Sequence, residues 1–310
     1  MSLHVVVGAG PVGTAVARLL AERGEQVRLV TRSGSGPEYP GIDRRAASAA
    51  DPEALARLAD GASVLYQCAA PAYHRWLAEF PPLSAAVVRA AELTGAVLIS
   101  AGNLYSYGEV AGPMTEDLPA RPNSAKGRIR AGMWAAQLEA HTAGRIRTAE
   151  VRGSDYLGAG AQTTFTIMVL PAVLKGRLAL VPADLDAPHS WTYVGDMART
   201  MMAVGADESA WGRAWHAVTP PPVSVRDLAA RAATLAGTAP ARLGRMPLGV
   251  LRLAGLFSPG ARELPEMQYQ FDRPFVLDST AAQRAFRLAP TPTDEALGET
   301  IRAMTAADRR

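Results

Sequence analysis

The feature that most constrains this chain is its first turn. Val5-Val6-Val7 runs into Gly8-Ala9-Gly10-Pro11-Val12-Gly13, and a helix-patterned segment from Thr14 to Arg23 follows at once. G-x-G-x-x-G between a β-branched run and a helix has a mechanical meaning. The first glycine permits the tight turn, the second lets a pyrophosphate approach the backbone, and the third lets the helix lie close to the strand. The phosphates then meet the free N–H groups of the helix N-terminus. Gly8, Gly10, Pro11, Val12 and Gly13 are therefore predicted to hold a dinucleotide.

Short apolar runs alternate with amphipathic segments through the first half of the chain, which predicts an α/β fold built on a doubly wound parallel sheet. Gln26 to Val30 reads as a second strand and closes in Thr31-Arg32-Ser33. An acid at this point, roughly 20 residues past the glycines, would bind a ribose 2′-hydroxyl. Arg32 beside Ser33 suits a 2′-phosphate instead, through a bidentate charge-assisted contact; the competing reading is a solvated surface arginine. NADP(H) is thus expected over NAD(H). Asp51-Pro52-Glu53 starts a helix well, and Val64 to Cys68 is the next strand, followed by Ala69-Ala70-Pro71 as a small-residue turn against the nucleotide. A helix over 83–94 leads to a buried strand, Ala96 to Ser100, and then to the polar, aromatic loop 101–108. Ligands of open α/β sheets lie outside the carboxyl ends of the strands. That places Asn103, Tyr105 and Tyr107 near the reactive end of the nucleotide, with His74 as a reserve candidate for proton transfer.

Composition narrows the partners. At 48% apolar and 20% charged residues the chain is that of a soluble globular protein, and no apolar run approaches the roughly 20 residues of a membrane span. A net charge of +3 argues against nucleic acid. Cys68 is the one cysteine, which excludes an internal disulfide and, with no signal-peptide pattern, suggests the cytoplasm. The five histidines are dispersed, so no metal is expected. The expected partners are a small-molecule substrate and a second copy of the chain as a homodimer.

Several segments resemble one family in the right order. They are the glycine turn, Gln67-Cys68-Ala69-Ala70, the stretch Ser100 to Tyr105 (similar to S-S-x-x-V-Y), Arg152-Gly153-Ser154-Asp155-Tyr156-Leu157-Gly158 (similar to R-P-x-x-x-x-G) and Trp191 to Asp196 (similar to F-x-x-V-x-D). Together they resemble the extended short-chain dehydrogenase/reductases, the NAD-dependent epimerase/dehydratases. The resemblance implies a Rossmann domain over 1–155 and about 189–220. A smaller substrate lobe, over about 156–188 and 221–310, would be interleaved with it. It also implies that Ser154, Asp155 and Tyr156 enter the substrate lobe, where Asp155 serves as a base, as a substrate acceptor or merely as a turn-capping carboxylate.

The family's catalytic residues, Ser or Thr with Tyr-x-x-x-Lys, are not matched. With Tyr105 aligned to the V-Y tyrosine, Ala101 stands at the Ser/Thr position, Lys126 at the tyrosine and Arg130 at the lysine; no tyrosine has a lysine four residues on. Three readings follow. Hydride transfer continues with another acid, Tyr105 or Tyr107, while Lys126 or Arg130 stabilises an oxyanion or holds the nicotinamide ribose. Alternatively, hydride chemistry is lost and the fold supports a redox-neutral lyase or cyclase, or a regulator that senses NADP(H). In the third, Lys126 to Arg130 are a solvated basic helix face. Beyond them, Met133, Trp134 and Leu138 suggest a core stripe, Trp215 to Val218 a strand returning to the sheet, Asp196 the cap of a helix from Met197, and Ser224 the cap of another helix.

Overall fold

The structure, a computed structural model, describes residues 1–247, 249–250, 253, 262–263 and 265–307; part of the predicted lobe segment 221–310 therefore lies outside the described residues. In chain order the first half comprises β1 (Leu3–Val7), α1 (Pro11–Glu22), β2 (Gln26–Thr31), β3 (Ile42–Ala46), α2 (Pro52–Ala59), β4 (Ala62–Gln67), α3 (Trp76–Thr94), β5 (Val97–Asn103), α4 (Ala125–Thr142) and β6 (Thr148–Gly153). β7 (Asp155–Leu157), α5 (Leu170–Leu174), β8 (Leu178–Val181), β9 (Trp191–Tyr193), α6 (Val194–Ala206), β10 (Ala214–His216), α7 (Val225–Ala236) and β11 (Arg242–Arg245) follow. The chain then forms α8 (Thr280–Phe286) and α9 (Thr293–Ala307).

Seven strands make one sheet in the order β10-β6-β5-β4-β1-β2-β3, and every pairing in it is parallel. The sheet is covered on both faces, so the middles of β1, β4 and β5 run apolar, with Val5, Val6, Leu65, Leu98 and Ile99 sealed from solvent, whereas β6 buries Glu150 paired with Arg152. The strand order reverses between β1 and β4, and the crevice at their carboxyl ends is where an open α/β sheet binds ligands. β10 returns to the sheet edge as the Trp215–Val218 run predicts. β3 is exposed and its Ile-Asp-Arg-Arg-Ala sequence has no apolar alternation, so nothing in its pattern announces it.

Side-chain capping explains the starts of three helices. Asp51 accepts from the Ala54 N–H at the start of α2, Ser224 from Asp227 at α7 and Ser124 from Gly127 at α4. α3 starts at Trp76 rather than 83 and carries Pro81 and Pro82 within it. α6 begins at Val194, and Asp196 does not cap it. Its buried carboxylate accepts from the Thr291 N–H and hydroxyl, both at 2.7 Å, and pairs with Arg199.

Outside the main sheet, β7 pairs with β9 and β8 with β11, both parallel. These strands and α5, α7 and α9 bury a second core around Leu157, Leu170, Val181, Trp191, Leu228 and Leu297. The cavity described next is lined by the turns after β1 and β4 and by residues 160–163, just before that core's Phe165.

Candidate active site

The three glycines of the first turn have separate jobs. Gly8 has φ +101°, and a Cβ there would meet the Ala69 backbone at 2.6 Å. At Gly13 a Cβ would stand 1.9 Å from the Gly8 carbonyl oxygen. Both therefore serve the contact of α1 with β1 and with the turn after β4. Gly10 differs: its φ of −70° suits any residue, and a Cβ there would touch nothing within 4 Å. Gly10 lies on the wall of a cavity of about 470 Å³, with Pro11 and Val12 beside it. No side chain caps α1 and no acid stands in its first turn, which leaves its positive end open to an anion.

The same cavity is lined by Ala69 and Ala70 after β4, by Asn103 and Tyr105 after β5, by Arg130 on α4 and by Ser154, Asp155 and Tyr156 after β6. The spacing of α4 explains Arg130. Lys126, Arg130, Met133, Gln137 and Ala140 point inward at helical intervals, whereas Trp134 and Leu138 are only partly buried. The inward face is thus a mixed polar stripe, not the expected Met-Trp-Leu stripe. Nor is the basic run a solvated face: Arg121 and Arg128 are exposed, but Lys126 and Arg130 are buried.

Arg130 is held from three sides. It donates to the Ala101 carbonyl at 3.1 Å, and its guanidinium lies 4.9 Å from the Trp76 ring centre and 4.5 Å from that of Phe80. Burial lowers its pKa, opposed chiefly by Glu150, yet a guanidinium remains charged. Its Nε has no partner, so one donor stays uncommitted.

Lys126 has a different fate. It is fully buried and absent from the cavity wall, with its Nζ paired to Glu266 at 3.0 Å and to Glu263, and 4.6 Å from the Tyr73 ring centre. Glu266 also accepts from the Ala125 and Lys126 N–H groups at the α4 N-terminus, where the helix dipole favours a carboxylate. These acids are about 140 residues away in sequence, and no local signal pairs them with Lys126.

The phenols also separate. Tyr105 lines the cavity; its loop sits against Gly127, where a Cβ would fall 2.5 Å from the Tyr105 carbonyl. Burial pushes the Tyr105 hydroxyl up to about 12, Asp155 adds to the effect, and Tyr73, Arg130 and Gln270 pull it back. Tyr107 is turned away. Its O–H donates to His216 Nε2 at 2.8 Å, because His216 Nδ1–H donates to the Asp278 carbonyl at 2.7 Å. Burial lowers His216 to about 4, keeping it the neutral acceptor that this arrangement requires.

The remaining predicted residues fall on either side of the cavity boundary. Asn103 lines the wall and its side chain accepts from the Tyr105 N–H. The Ser154 Oγ is buried on the wall without a partner. Asp155 receives His189 Nε2 at 2.7 Å, a pair the sequence does not reveal across 34 positions. Ser100 faces inward and donates to Gln137 at 3.0 Å, off the cavity. His74 is exposed on the turn before α3, away from the wall. Arg32 and Ser33 are exposed after β2; the Ser33 hydroxyl contacts that of Ser35 at 2.9 Å, and Arg32 makes no ion pair among the described residues. Tyr73 and Gln270 also line the wall and no sequence signal marks them; Trp76 is placed near the nucleotide by following the fourth-strand turn, and His189 is readable only as one of several C-terminal residues able to line a pocket.

Among the described residues no group of three or more metal-ligating side chains occurs, and no helix is long and apolar enough to cross a membrane. Comparison with protein families matches residues 4–215 to the NAD dependent epimerase/dehydratase family. Comparison with curated proteins finds no match. Among solved structures, MoeE5 in complex with UDP-glucuronic acid and NAD is similar at TM-score 0.79 and 20% identity, covering 99% of this chain and 100% of that one. The Bordetella bronchiseptica enzyme WbmH in complex with NAD+ is similar at TM-score 0.76 and 18% identity over 98% and 99% of the two chains. Epimerase Mth375 from Methanothermobacter thermautotrophicus gives TM-score 0.82 and 18% identity over 99% and 93%.

Proposed function

The chain belongs to the NAD-dependent epimerase/dehydratase family, and we propose that within it the protein is an NADP(H)-dependent oxidoreductase acting on a carbonyl or alcohol of a small metabolite. The observation that carries this reading is the sharing of one cavity by the Gly10 turn, Arg130 and Tyr105. A dinucleotide fits the turn. The glycine at position 10 is required neither by its backbone angles nor by its neighbours, so the open space beside it accounts for the residue. Gly10, Pro11 and Val12 would hold the pyrophosphate at the α1 N-terminus, Ala69 and Ala70 would flank the nucleotide, and Arg32 with Ser33 would take a 2′-phosphate. MoeE5 and WbmH carry NAD; the arginine after β2 supports NADP(H) here.

The bound nicotinamide would supply or accept the hydride. Tyr105, a phenol that burial keeps protonated further into the alkaline range, would give a proton to the carbonyl oxygen. Arg130 would direct its free Nε–H at that oxygen or at the nicotinamide ribose, and its charge would stabilise developing negative charge in a dry site. Asn103, by fixing the Tyr105 backbone, would orient the phenol. NADPH consumption over a panel of aldehydes and ketones tests the reading. Tyr105→Phe should cut turnover by about 10²–10⁴, the usual worth of a general acid, with NADPH affinity nearly intact. Retained turnover removes Tyr105 from the role.

One observation favours a redox-silent relative, a regulator or a redox-neutral lyase or cyclase: Lys126, at the position of the family's tyrosine, is sealed by two carboxylates. That protein would bind NADPH and consume it with no member of the panel.

A further inference from the structure

We propose a second activity for this cavity: removal and return of a carbon-bound proton next to a substrate carbonyl, with Asp155 as the base that takes the proton and His189 as its positioning residue. The inference rests on the reading of this cavity as the place where a carbonyl oxygen meets Tyr105.

Hydride transfer as described uses Tyr105 and Arg130 and leaves Asp155, His189 and Ser154 without a task. Asp155 stands on the cavity wall with its side chain 18% exposed, and its Oδ2 accepts from His189 Nε2–H at 2.7 Å. That is the carboxylate's one hydrogen bond among the described residues. The backbones fix the pair, since Asp155 on β7 is in register with Trp191 on β9, two positions past His189. His189 itself has little freedom. It is buried, stacked on Phe271 at 5.3 Å and on Phe275 at 5.4 Å, and packed against Trp191 at 4.6 Å. One carboxylate oxygen is thus anchored, and the other is left to accept a proton.

A C–H bond beside a carbonyl ionises when a base meets the hydrogen and donors meet the oxygen, where the charge collects. The cavity holds both kinds of group. Tyr105 lines it, and its hydroxyl, raised by burial and by the Asp155 charge, stays a donor. Arg130 lines it with its Nε unpartnered, and Ser154 with its Oγ buried and unpartnered. The Asp155 charge acts on Tyr105 and on Tyr73, which brings the carboxylate and the phenols to one part of the wall. Val12, Ala69, Trp76 and Phe275 make up much of the rest. A carboxylate base facing a phenol donor in apolar surroundings divides the work between two groups that keep different protonation states. Asp155 Oδ1 takes the proton, the C–H electron pair becomes a C=C bond, and the carbonyl π pair moves onto oxygen, where the Tyr105 O–H and the Arg130 charge stabilise it. The reverse step returns to that carbon a proton that Asp155 has exchanged with water. Nothing is oxidised or reduced, and no co-reactant is consumed.

The test follows, by proton NMR in D2O, the loss of the α-hydrogen signals of cyclohexanone, acetophenone and butan-2-one in the presence of the full-length protein saturated with NADP+. NADP+ has no hydride to give a ketone, so failure of the oxidoreductase reading leaves this readout untouched. At least one ketone should exchange about 10²–10⁴-fold faster with wild type than with Asp155→Asn, the usual worth of a positioned base. Tyr105→Phe should lose about 10²–10³, the worth of a donor at the oxygen. His189→Leu should lower the rate at saturating ketone with KM little changed, and His189→Gln, which keeps a donor, should recover it; a merely structural histidine moves stability and not this split. Should Asp155→Asn fail to fold, Asp155→Glu decides, because it keeps the carboxylate: exchange above the buffer rate supports the proposal and exchange at the buffer rate overturns it. Exchange of none of the three ketones by wild type, exchange undiminished in Asp155→Asn, or His189→Leu equal to wild type would each overturn it as well.

Discussion

Alanine at Gly10 and at Gly13 should separate what the first turn does for the fold from what it does for the nucleotide. At Gly10 the backbone sits at φ −70° and ψ −176°, and the added methyl meets no protein atom within 4 Å. Two small effects oppose each other there. Replacing glycine by alanine at a compatible angle gains about 0.4–1 kcal/mol from the unfolded state, and alanine is a poorer N-cap than glycine by a comparable amount. The net change should stay within about 0.5 kcal/mol, or roughly 1–2 °C in Tm at the few degrees per kcal/mol typical of larger domains. The same methyl stands where a pyrophosphate would approach, and NADPH affinity should fall by about a hundredfold, equivalent to roughly 2.8 kcal/mol. Gly13→Ala puts its Cβ 1.9 Å from the Gly8 carbonyl oxygen, a backbone atom that cannot yield without moving α1 off the sheet. Such overpacking costs about 1–3 kcal/mol or more, so its Tm should drop by several degrees. Thermal denaturation with NADPH fluorescence titration on both variants gives the readout. A Gly10→Ala protein that binds NADPH within twofold of wild type would refute the reasoning, as would a Gly13→Ala protein as stable as wild type.

Three further outcomes are expected. Arg32→Asp should weaken NADPH by about 10–100-fold, the worth of a hydrogen bond to a charged group, and leave NADH little changed in the same titration; equal losses would remove the 2′-phosphate contact. The hydroxyl of Tyr105, raised by burial to about 12, is protonated below that pH and ionised above it. Carbonyl reduction should therefore be flat from pH 6 to 10, while alcohol oxidation, which needs the phenolate, should climb about tenfold per pH unit; a plateau in oxidation above pH 7 would contradict this. Lys126→Ala leaves Glu263 and Glu266 facing each other without their cation. Because both acids are about a quarter exposed, the loss in chemical denaturation should be about 2 kcal/mol, below the roughly 3–5 of a fully buried broken pair. Unchanged stability would place Lys126 outside the packing described.

Local pattern carried the glycine turn, the inner strands and the capped helices, since each depends on residues within a few positions of one another. Asp51-Pro52 and Ser224 are legible for that reason. The cavity is not local. Lys126 and Arg130 are neighbours on one helix and indistinguishable as charges, yet two acids distant in sequence claim the first, and a carbonyl and two rings hold the second. Tyr105 and Tyr107 lie two residues apart and face opposite ways because His216, from the last strand of the sheet, binds only one of them. Asp155 read equally well as a turn carboxylate until His189 fixed it to the wall. Long-range partners decide which polar residues reach a site, and a single sequence does not contain them.

The account rests on a nucleotide lying across Gly10 with its reactive ring at Tyr105 and Arg130. A crystal structure of the protein with NADPH tests that directly. It should show the pyrophosphate on the α1 N-terminus and the nicotinamide C4 opening into the cavity, with the Tyr105 hydroxyl and the Arg130 Nε on the same side, leaving a gap of about 3–3.5 Å for the reacting atom of a substrate. A nicotinamide turned away from both side chains, or a nucleotide bound elsewhere, would contradict it.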